Sequence, residues 1–315
     1  MFARSWQPCA RLDQLAVTGD HVAADLAGEP IALVRDGAEL RGFANVCRHR
    51  AGPVVRGCGR RQTLQCGYHG WTYGLDGRLL RAPEMEGTEG FDLAAVRLPP
   101  VAVVAWGPLV MACLEPERAP TLAALTDGIA LEALPHRLHR EYPVACNWKV
   151  YVDNYLEGYH IPIVHPALHQ ELDYAAYRTE TRRWASLQHA PVRPVAGGDR
   201  RYLPRANGER NQYWWVFPHL MLNIYMDMVQ VNVVVPLAVD RTVVVFDWFA
   251  PAKLAPDLVE FSDVIQDEDR RICETVQHNL ASRSYDRGRY SARRENGVHH
   301  FHSLLVDAFE ADQAG

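Results

Sequence analysis

The chain contains no run of about 18 consecutive apolar residues, so no helix long enough to cross a membrane is expected of its 315 residues. Internal repeats and low-complexity segments are also missing, which argues against solenoids and linker-like chains. Charge of one sign is not in excess: 33 Lys and Arg stand against 38 Asp and Glu, a formal net charge of −5 with His neutral. That balance offers no electrostatic footprint for nucleic acid or an anionic lipid surface. The opening Met1-Phe2-Ala3-Arg4-Ser5-Trp6 lacks the positive and then apolar pattern of a secretory leader, and a cytoplasmic protein is expected. Seven cysteines, Cys9, Cys47, Cys58, Cys66, Cys113, Cys146 and Cys273, are odd in number and scattered, unlike a disulfide framework. Their use, if any, is expected in metal binding.

What is present is a globular composition, 48% hydrophobic and 23% charged, long enough for one large or two ordinary domains. From Trp6 to about Leu114, short β-branched and apolar runs alternate with Gly, Asp and Pro, which predicts a small all-β module. The polar, Pro-bearing stretch 115–120 marks a change of character, so a boundary is placed near residue 118, giving domains 1–118 and 119–315. The second part mixes helical periodicity at 147–160 and 262–281 with strand-like runs at 229–236 and 241–250. The expected fold class is α+β, an all-β domain followed by an α+β domain.

Two short boxes carry the first chemistry. Cys47-Arg48-His49 is followed, sixteen residues on, by Cys66-Gly67-Tyr68-His69. A [2Fe–2S] centre with two Cys on one iron and two His on the other takes one sulfur and one nitrogen from each of two loops. Cys47 and Cys66 would hold one iron, His49 and His69 the other. A structural zinc site is the bland alternative, but there the two Cys usually sit together and the two His together, whereas here they are interleaved. Trp71 and Tyr73 beside the second box can shield a cluster or simply pack a core. Asn45-Val46-Cys47-Arg48-His49-Arg50, with Cys66-Gly67-Tyr68-His69-Gly70-Trp71-Thr72-Tyr73, resembles the Rieske domain of ring-hydroxylating oxygenases. The neighbourhoods Ala51-Gly52-Pro53 and Gly67-Tyr68 lack the extra bridging cysteines of high-potential respiratory Rieske proteins, so the resemblance implies a low-potential, electron-passing cluster.

A second donor set lies in 147–165. Trp148, Val152, Tyr155 and Tyr159 recur at helical spacing as a packing stripe. At about 100° per residue, Asp153, Asn154, Glu157 and His160 gather on another face. Pro162 should end that helix just after His160 and present His165 from a turn ahead of Pro166. Two His and one carboxylate on one face of a ferrous ion leave positions open for dioxygen. The carboxylate expected is Asp269, on the apolar stripe of Ile265, Ile272, Val276 and Leu280, while Asp267 and Glu268 suit a solvated acidic face. Asn147-Trp148-Lys149, Asp153-Asn154 and Glu157-Gly158-Tyr159-His160 with His165-Pro166 resemble the mononuclear-iron signature of the same family.

That resemblance runs from about Trp6 to Leu305 and implies a helix-grip-like catalytic domain. It also implies His160 and His165 as iron ligands, with Glu157 and Asn154 as candidate catalytic residues. Glu157 would link the iron site to a cluster His of the neighbouring subunit in a homotrimer, at a position where Asp is commoner, and family members usually have more residues ahead of Trp6. Residues 284–290 with Gly297-Val298-His299-His300-Phe301-His302 resemble the C-terminal region of choline monooxygenase-like members, and packing is the role expected of that His-rich run. No role is expected of His139 or His189.

The resulting expectation is an oxygenase component that uses dioxygen to hydroxylate or demethylate a small organic substrate, with a quaternary amine as one candidate. Electrons would come from NAD(P)H through a separate reductase, with or without a ferredoxin. Aromatic cis-dihydroxylation is the alternative within the family, and a Rieske electron-transfer protein without mononuclear iron the alternative outside it. Tyr213, Trp214, Trp215, Tyr225 and Trp248 either line a pocket, offering cation–π faces, or pack the core.

Overall fold

The computed structural model describes residues 1–193, 211–225 and 227–313, which form two compact units. The first comprises Met1–Leu122 with Ala130–Ala133, and the second Ala123–Ile129 with Leu134–Gly315.

In the first unit the strands are β1 (Gln7–Arg11), β2 (Asp20–Leu26), β3 (Glu29–Asp36), β4 (Glu39–Ala44), β5 (Cys58–Arg60), β6 (Leu64–Gln65), β7 (Thr72–Tyr73), β8 (Leu79–Arg81), β9 (Pro100–Trp106) and β10 (Leu109–Cys113). They make a seven-stranded sheet in the order β1-β10-β9-β4-β3-β2-β5 and a three-stranded sheet β6-β7-β8. Strand β3 shows why both are needed. Ile31, Ala32, Leu33 and Val34 are all buried, and because successive side chains point to opposite faces they feed two cores. Ile31 and Leu33 pack with Leu15, Leu26 and Val110. Ala32 and Val34 pack with Cys47, Cys66, Trp71 and Tyr73, so the two boxes are rooted in a hydrophobic cluster of their own.

The second unit begins near the short helix α1 (Leu122–Leu125) and holds β11 (His136–Val144), β12 (Arg178–Thr181), β13 (Ala185–Ala190), β14 (Asn211–Val216), β15 (Leu220–Ile224), β16 (Val229–Ala238) and β17 (Arg241–Phe249). These form an antiparallel sheet in the order β11-β17-β16-β15-β14-β13-β12. Its other helices are α2 (Trp148–Tyr155), α3 (Ile161–Val164), α4 (Pro166–Glu171), α5 (Pro256–Leu280) and α6 (Asn296–Gln313). The long helix α5 is tied to the segment ahead of α2: Ala145 N–H donates to Glu274 at 3.1 Å, Asn147 N–H to Gln277 at 2.8 Å, and the Tyr142 hydroxyl to Asp263. A sheet gripped by one long helix is the expected α+β form.

Two local expectations are corrected. The helix expected over 147–160 is α2 alone, capped by the Asn147 side chain accepting from Lys149 N–H at 3.1 Å and finished at Leu156. Just beyond, Gly158 lies so near the Tyr177 ring that a Cβ there would sit 2.7 Å from it. Glu157 and His160 therefore leave the helix, and Tyr159, read as part of the packing stripe, is exposed. Pro162 and Pro166 do not end a helix but sit in the first turns of α3 and α4, where a missing N–H costs nothing.

Candidate functional site

The two boxes form facing turns in the first unit. Cys47 accepts from Ala51 N–H and Cys66 from Gly70 N–H through their carbonyls, and Cys47 N–H donates to Gly52 O at 2.8 Å. Gly70 takes a positive φ of 73°, which its lack of a Cβ permits. A Cβ on Gly52 would stand 2.8 Å from Cys66 Sγ, so glycine there is what lets the two turns approach. Both cysteines are buried, while His49 and His69 are exposed with ring centroids 4.6 Å apart, and His49 stacks on Trp71.

Hydrogen bonds converge on the sulfurs. The Tyr73 hydroxyl accepts from Arg48 N–H at 3.0 Å, which leaves its own proton for Cys47 Sγ at 3.3 Å. Burial pushes the Tyr73 pKa up, so it remains a donor. Burial also raises the Cys66 thiol, and the backbone N–H groups of Tyr68 and His69 oppose that rise. Desolvation, with the neighbouring His49 and Arg50, lowers His69 and keeps its imidazole neutral. Two buried sulfurs beneath two exposed imidazoles are a donor set that fits a Rieske [2Fe–2S] cluster.

In the second unit, the stretch after α2, the turn between α3 and α4, and helix α5 bring together His160, His165 and Asp269, one donor atom from each lying within 4.8 Å of the others. Each imidazole is held by a separate glutamate. Glu157 Oε1 lies 2.5 Å from His160 Nδ1, and Glu268 Oε2 lies 2.7 Å from His165 Nδ1. The Nε2 atoms are thereby turned to Asp269 Oδ1, at 3.7 Å for His160 and 3.0 Å for His165. Asn154 Nδ2 donates to the same Oδ1 at 2.5 Å. Burial would lower the His165 pKa, but Asp269 and then Glu268 outweigh it and raise it. Nδ1–H groups bound to carboxylates, with Nε2 free for a metal, are the arrangement that orients metal-ligating imidazoles. The set fits a ferrous ion with open positions.

Asp269 is where helix phase expects it, but the phase itself is shifted. The buried residues of α5 are Phe261, Gln266 and Cys273, while Val276 and Leu280 are exposed. Asp267 pairs with Arg270 and Arg271 as a solvated acid should. Glu268 does not: it reaches His165, a contact the sequence reading missed because α5 phase alone places it at the edge.

Beside the triad lies a cavity of about 110 Å³ that water-sized molecules can enter. The expected aromatics divide. Tyr213 and Tyr225 line the cavity, joined by Tyr151, Tyr155 and Tyr177, which carried no such expectation. Trp214, Trp215 and Trp248 are core residues. Also unforeseen is a set of amides: Asn223 Nδ2 donates to Gln230 Oε1 at 3.0 Å, and Tyr155 Oη to Asn223 Oδ1 at 2.8 Å. Tyr177 Oη donates to Gln188 Oε1 at 3.1 Å. The His-rich run of α6 packs as expected, with Phe301 buried and His300 edge-on to Trp215. His302 does more, holding Asp153 at 2.8 Å and Tyr290 at 2.7 Å behind Asn154. His139 and His189 hydrogen-bond to carboxylates outside the cavity lining.

Comparison with known proteins covers both halves of the chain. Residues 5–97 match the Rieske [2Fe-2S] domain, and residues 131–311 match the ring hydroxylating alpha subunit (catalytic domain). The chain is 35% identical to the chloroplastic choline monooxygenase of Arabidopsis thaliana, over 97% of this chain and 77% of that protein. It is 31% identical to the carnitine monooxygenase oxygenase subunit of Escherichia coli K12, over 98% and 89%. The crystal structure of the quaternary ammonium Rieske monooxygenase CntA matches with a TM-score of 0.84 at 26% identity, covering 98% of this chain and 89% of that one. Naphthalene 1,2-dioxygenase shares the fold, with a TM-score of 0.73 at 17% identity over 96% and 86%. The chain therefore belongs to the Rieske ring-hydroxylating oxygenase family as an alpha subunit, an enzyme built to carry a [2Fe–2S] cluster and a mononuclear non-heme iron.

Proposed function

We propose that this oxygenase acts on a small quaternary amine, with residues 1–118 holding the cluster through Cys47, His49, Cys66 and His69 and residues 119–315 holding iron through His160, His165 and Asp269. The observation that carries the iron assignment is the paired glutamates, Glu157 on His160 and Glu268 on His165, which leave both Nε2 atoms facing one carboxylate. Once bound, the two metal groups supply electron relay and dioxygen activation. The residues around them do the rest. Glu157 and Glu268 keep the Nδ1 protons in place, Asn154 holds one Asp269 oxygen, and the tyrosine-lined cavity binds the substrate and displaces water from it.

The substrate class rests on the cavity's chemistry and on the relatives. Phenol rings present negative faces to a cation that cannot accept or donate a hydrogen bond, which is what a quaternary ammonium requires. Choline and carnitine, named for two of the relatives, are both of that class. Glu157 is the group that reaches toward a cluster His of a partner copy in a homotrimer, and a separate reductase, with or without a ferredoxin, is the electron source. A cytoplasmic location completes the reading.

The test is oxygen uptake by the reconstituted enzyme with a compatible reductase, across panels of quaternary amines, aryl ethers and aromatic acids, with products identified by mass. Stimulation by quaternary amines, with about three irons per chain, is expected. Stimulation by arenes alone would favour cis-dihydroxylation, and an iron content matching only the cluster would favour a pure electron carrier.

A further inference from the structure

The polar groups of the cavity are not all satisfied by one another. Asn223, Gln230, Ser262, Gln188, Tyr155 and Tyr177 pair off in the bonds described above, with Gln230 Nε2 donating to Ser262 Oγ at 3.3 Å and Gln188 Nε2 to Tyr155 O at 2.6 Å. Two amides stand apart. The side chains of Asn232 and Gln266 are each 2% exposed and line the cavity, yet among the described residues Asn232 Oδ1 and Gln266 Nε2 have no hydrogen-bond partner. The Gln266 amide is oriented with its Oε1 accepting from the Tyr151 hydroxyl, which turns Nε2 to the cavity. A buried polar atom left without a partner destabilises the fold, so an acceptor and a donor of this kind facing one cavity point to a ligand group that satisfies both.

Their placement on the fold brings the two atoms to the same level. Gln230 of β16 meets Ser262 of α5. Asn232 lies two residues further along the strand, an advance of about 6.6 Å. Gln266 lies four residues further along the helix, an advance of about 6 Å. The strand and the helix run in the same direction, since α5 follows β11 from Asp263 to Gln277 and β11 is separated from β16 by the antiparallel β17. Asn232 and Gln266 are thus the next level of the same wall. Gln266 is also three residues from Asp269 on α5, so whatever it holds lies next to the candidate metal.

We propose that Asn232 and Gln266 read a hydroxyl group on the substrate, the hydroxyl donating to Asn232 Oδ1 and accepting from Gln266 Nε2. A hydroxyl is the simplest group that does both at once. Resting on the quaternary-amine reading above, this narrows the substrate to a hydroxylated quaternary amine, with the ammonium against the tyrosine wall and the hydroxyl-bearing end toward α5. The pair determines specificity and is not part of the metal set.

Anaerobic calorimetry on the iron-loaded enzyme compares choline with n-propyltrimethylammonium, which has a methyl in place of the hydroxyl. The wild type should prefer choline by on the order of tenfold or more, because the hydroxyl-free analogue leaves both amides buried and unpaired. Asn232→Leu and Gln266→Met should each bring the two affinities to within about threefold, while Asn232→Asp, which keeps the acceptor, should retain the preference for choline. Cluster absorption and iron content report that each variant is folded. Equal binding of both cations by the wild type, or an unchanged preference in Asn232→Leu, overturns the hydroxyl assignment and leaves the quaternary-amine reading standing. Failure of the wild type to bind either cation overturns the quaternary-amine reading itself.

Discussion

Single side chains around each donor set have separable tasks. The Tyr73 hydroxyl is committed to Cys47 Sγ because Arg48 N–H occupies its lone pair. A hydrogen bond to a cluster sulfur stabilises the reduced, more negative state. Tyr73→Phe should therefore lower the cluster's midpoint potential, read by redox titration of its visible spectrum, without loss of iron. Glu268 fixes His165 from the side opposite Asp269. Removing an orienting carboxylate of this kind typically costs about 10- to 100-fold in metal affinity. Glu268→Ala should show that loss in chelator competition for the mononuclear iron, with the cluster spectrum unchanged; full retention of iron would assign Glu268 to packing.

At the scale of elements, His219 joins the turn before β15 to β16, its ring Nδ1 lying 2.7 Å from Val234 O. Burial lowers its pKa to about 4, against 6.5 for the free side chain. Its folded pKa is depressed, so the neutral ring is no liability above pH 6.5. Between there and pH 4 the unfolded chain takes up a proton that the native state refuses, and stability falls as pH falls, by about 3 kcal/mol in all. Urea midpoints at pH 7.5 and 5 should separate more for the wild type than for His219→Gln; equal separation would mean that the ring is charged in the native state.

How far these elements could be read from sequence depended on what each residue had to do. The candidate donors Cys47, His49, Cys66, His69, His160 and His165 were legible because few residue types bind iron and their spacing is local. Asp269 was reachable by helix phase even though the stripe used to find it was displaced: Val276 and Leu280 are exposed, and the buried positions are Phe261, Gln266 and Cys273. Glu157 and His160 seemed helical only because 3.6-residue periodicity continued past the point where Gly158 meets Tyr177 and the helix stops. The cavity amides were out of reach. Gln188 lies on β13, Asn223 on β15, and Gln230 and Asn232 on β16, and only the sheet register brings them to one wall.

For the whole molecule, the proposed bridge from Glu157 to a cluster His of a neighbouring copy predicts that electron delivery depends on that copy. Glu157→Ala is expected to keep both metal groups and lose most substrate-dependent oxygen uptake, with the cluster still reducible by reductase; normal turnover would remove its linking role. Mixed assemblies test the same point independently. Copies lacking the cluster through Cys66→Ser, co-assembled with copies lacking iron through His160→Ala, should recover activity that neither has alone. No recovery would confine electron transfer to single chains.

Helix α5 places Gln266, Glu268 and Asp269 within a single turn, so the same stretch of backbone that would orient the metal also faces the cavity. A lineage adapting to a new substrate is therefore less free to remodel that turn, because changes at Glu268 or Asp269 would cost iron. The facing strand β16, which carries Asn232 but none of the candidate metal-ligating residues, can vary without that penalty. Selectivity in such a protein should drift on the sheet side of its cavity and stay frozen on the helix side.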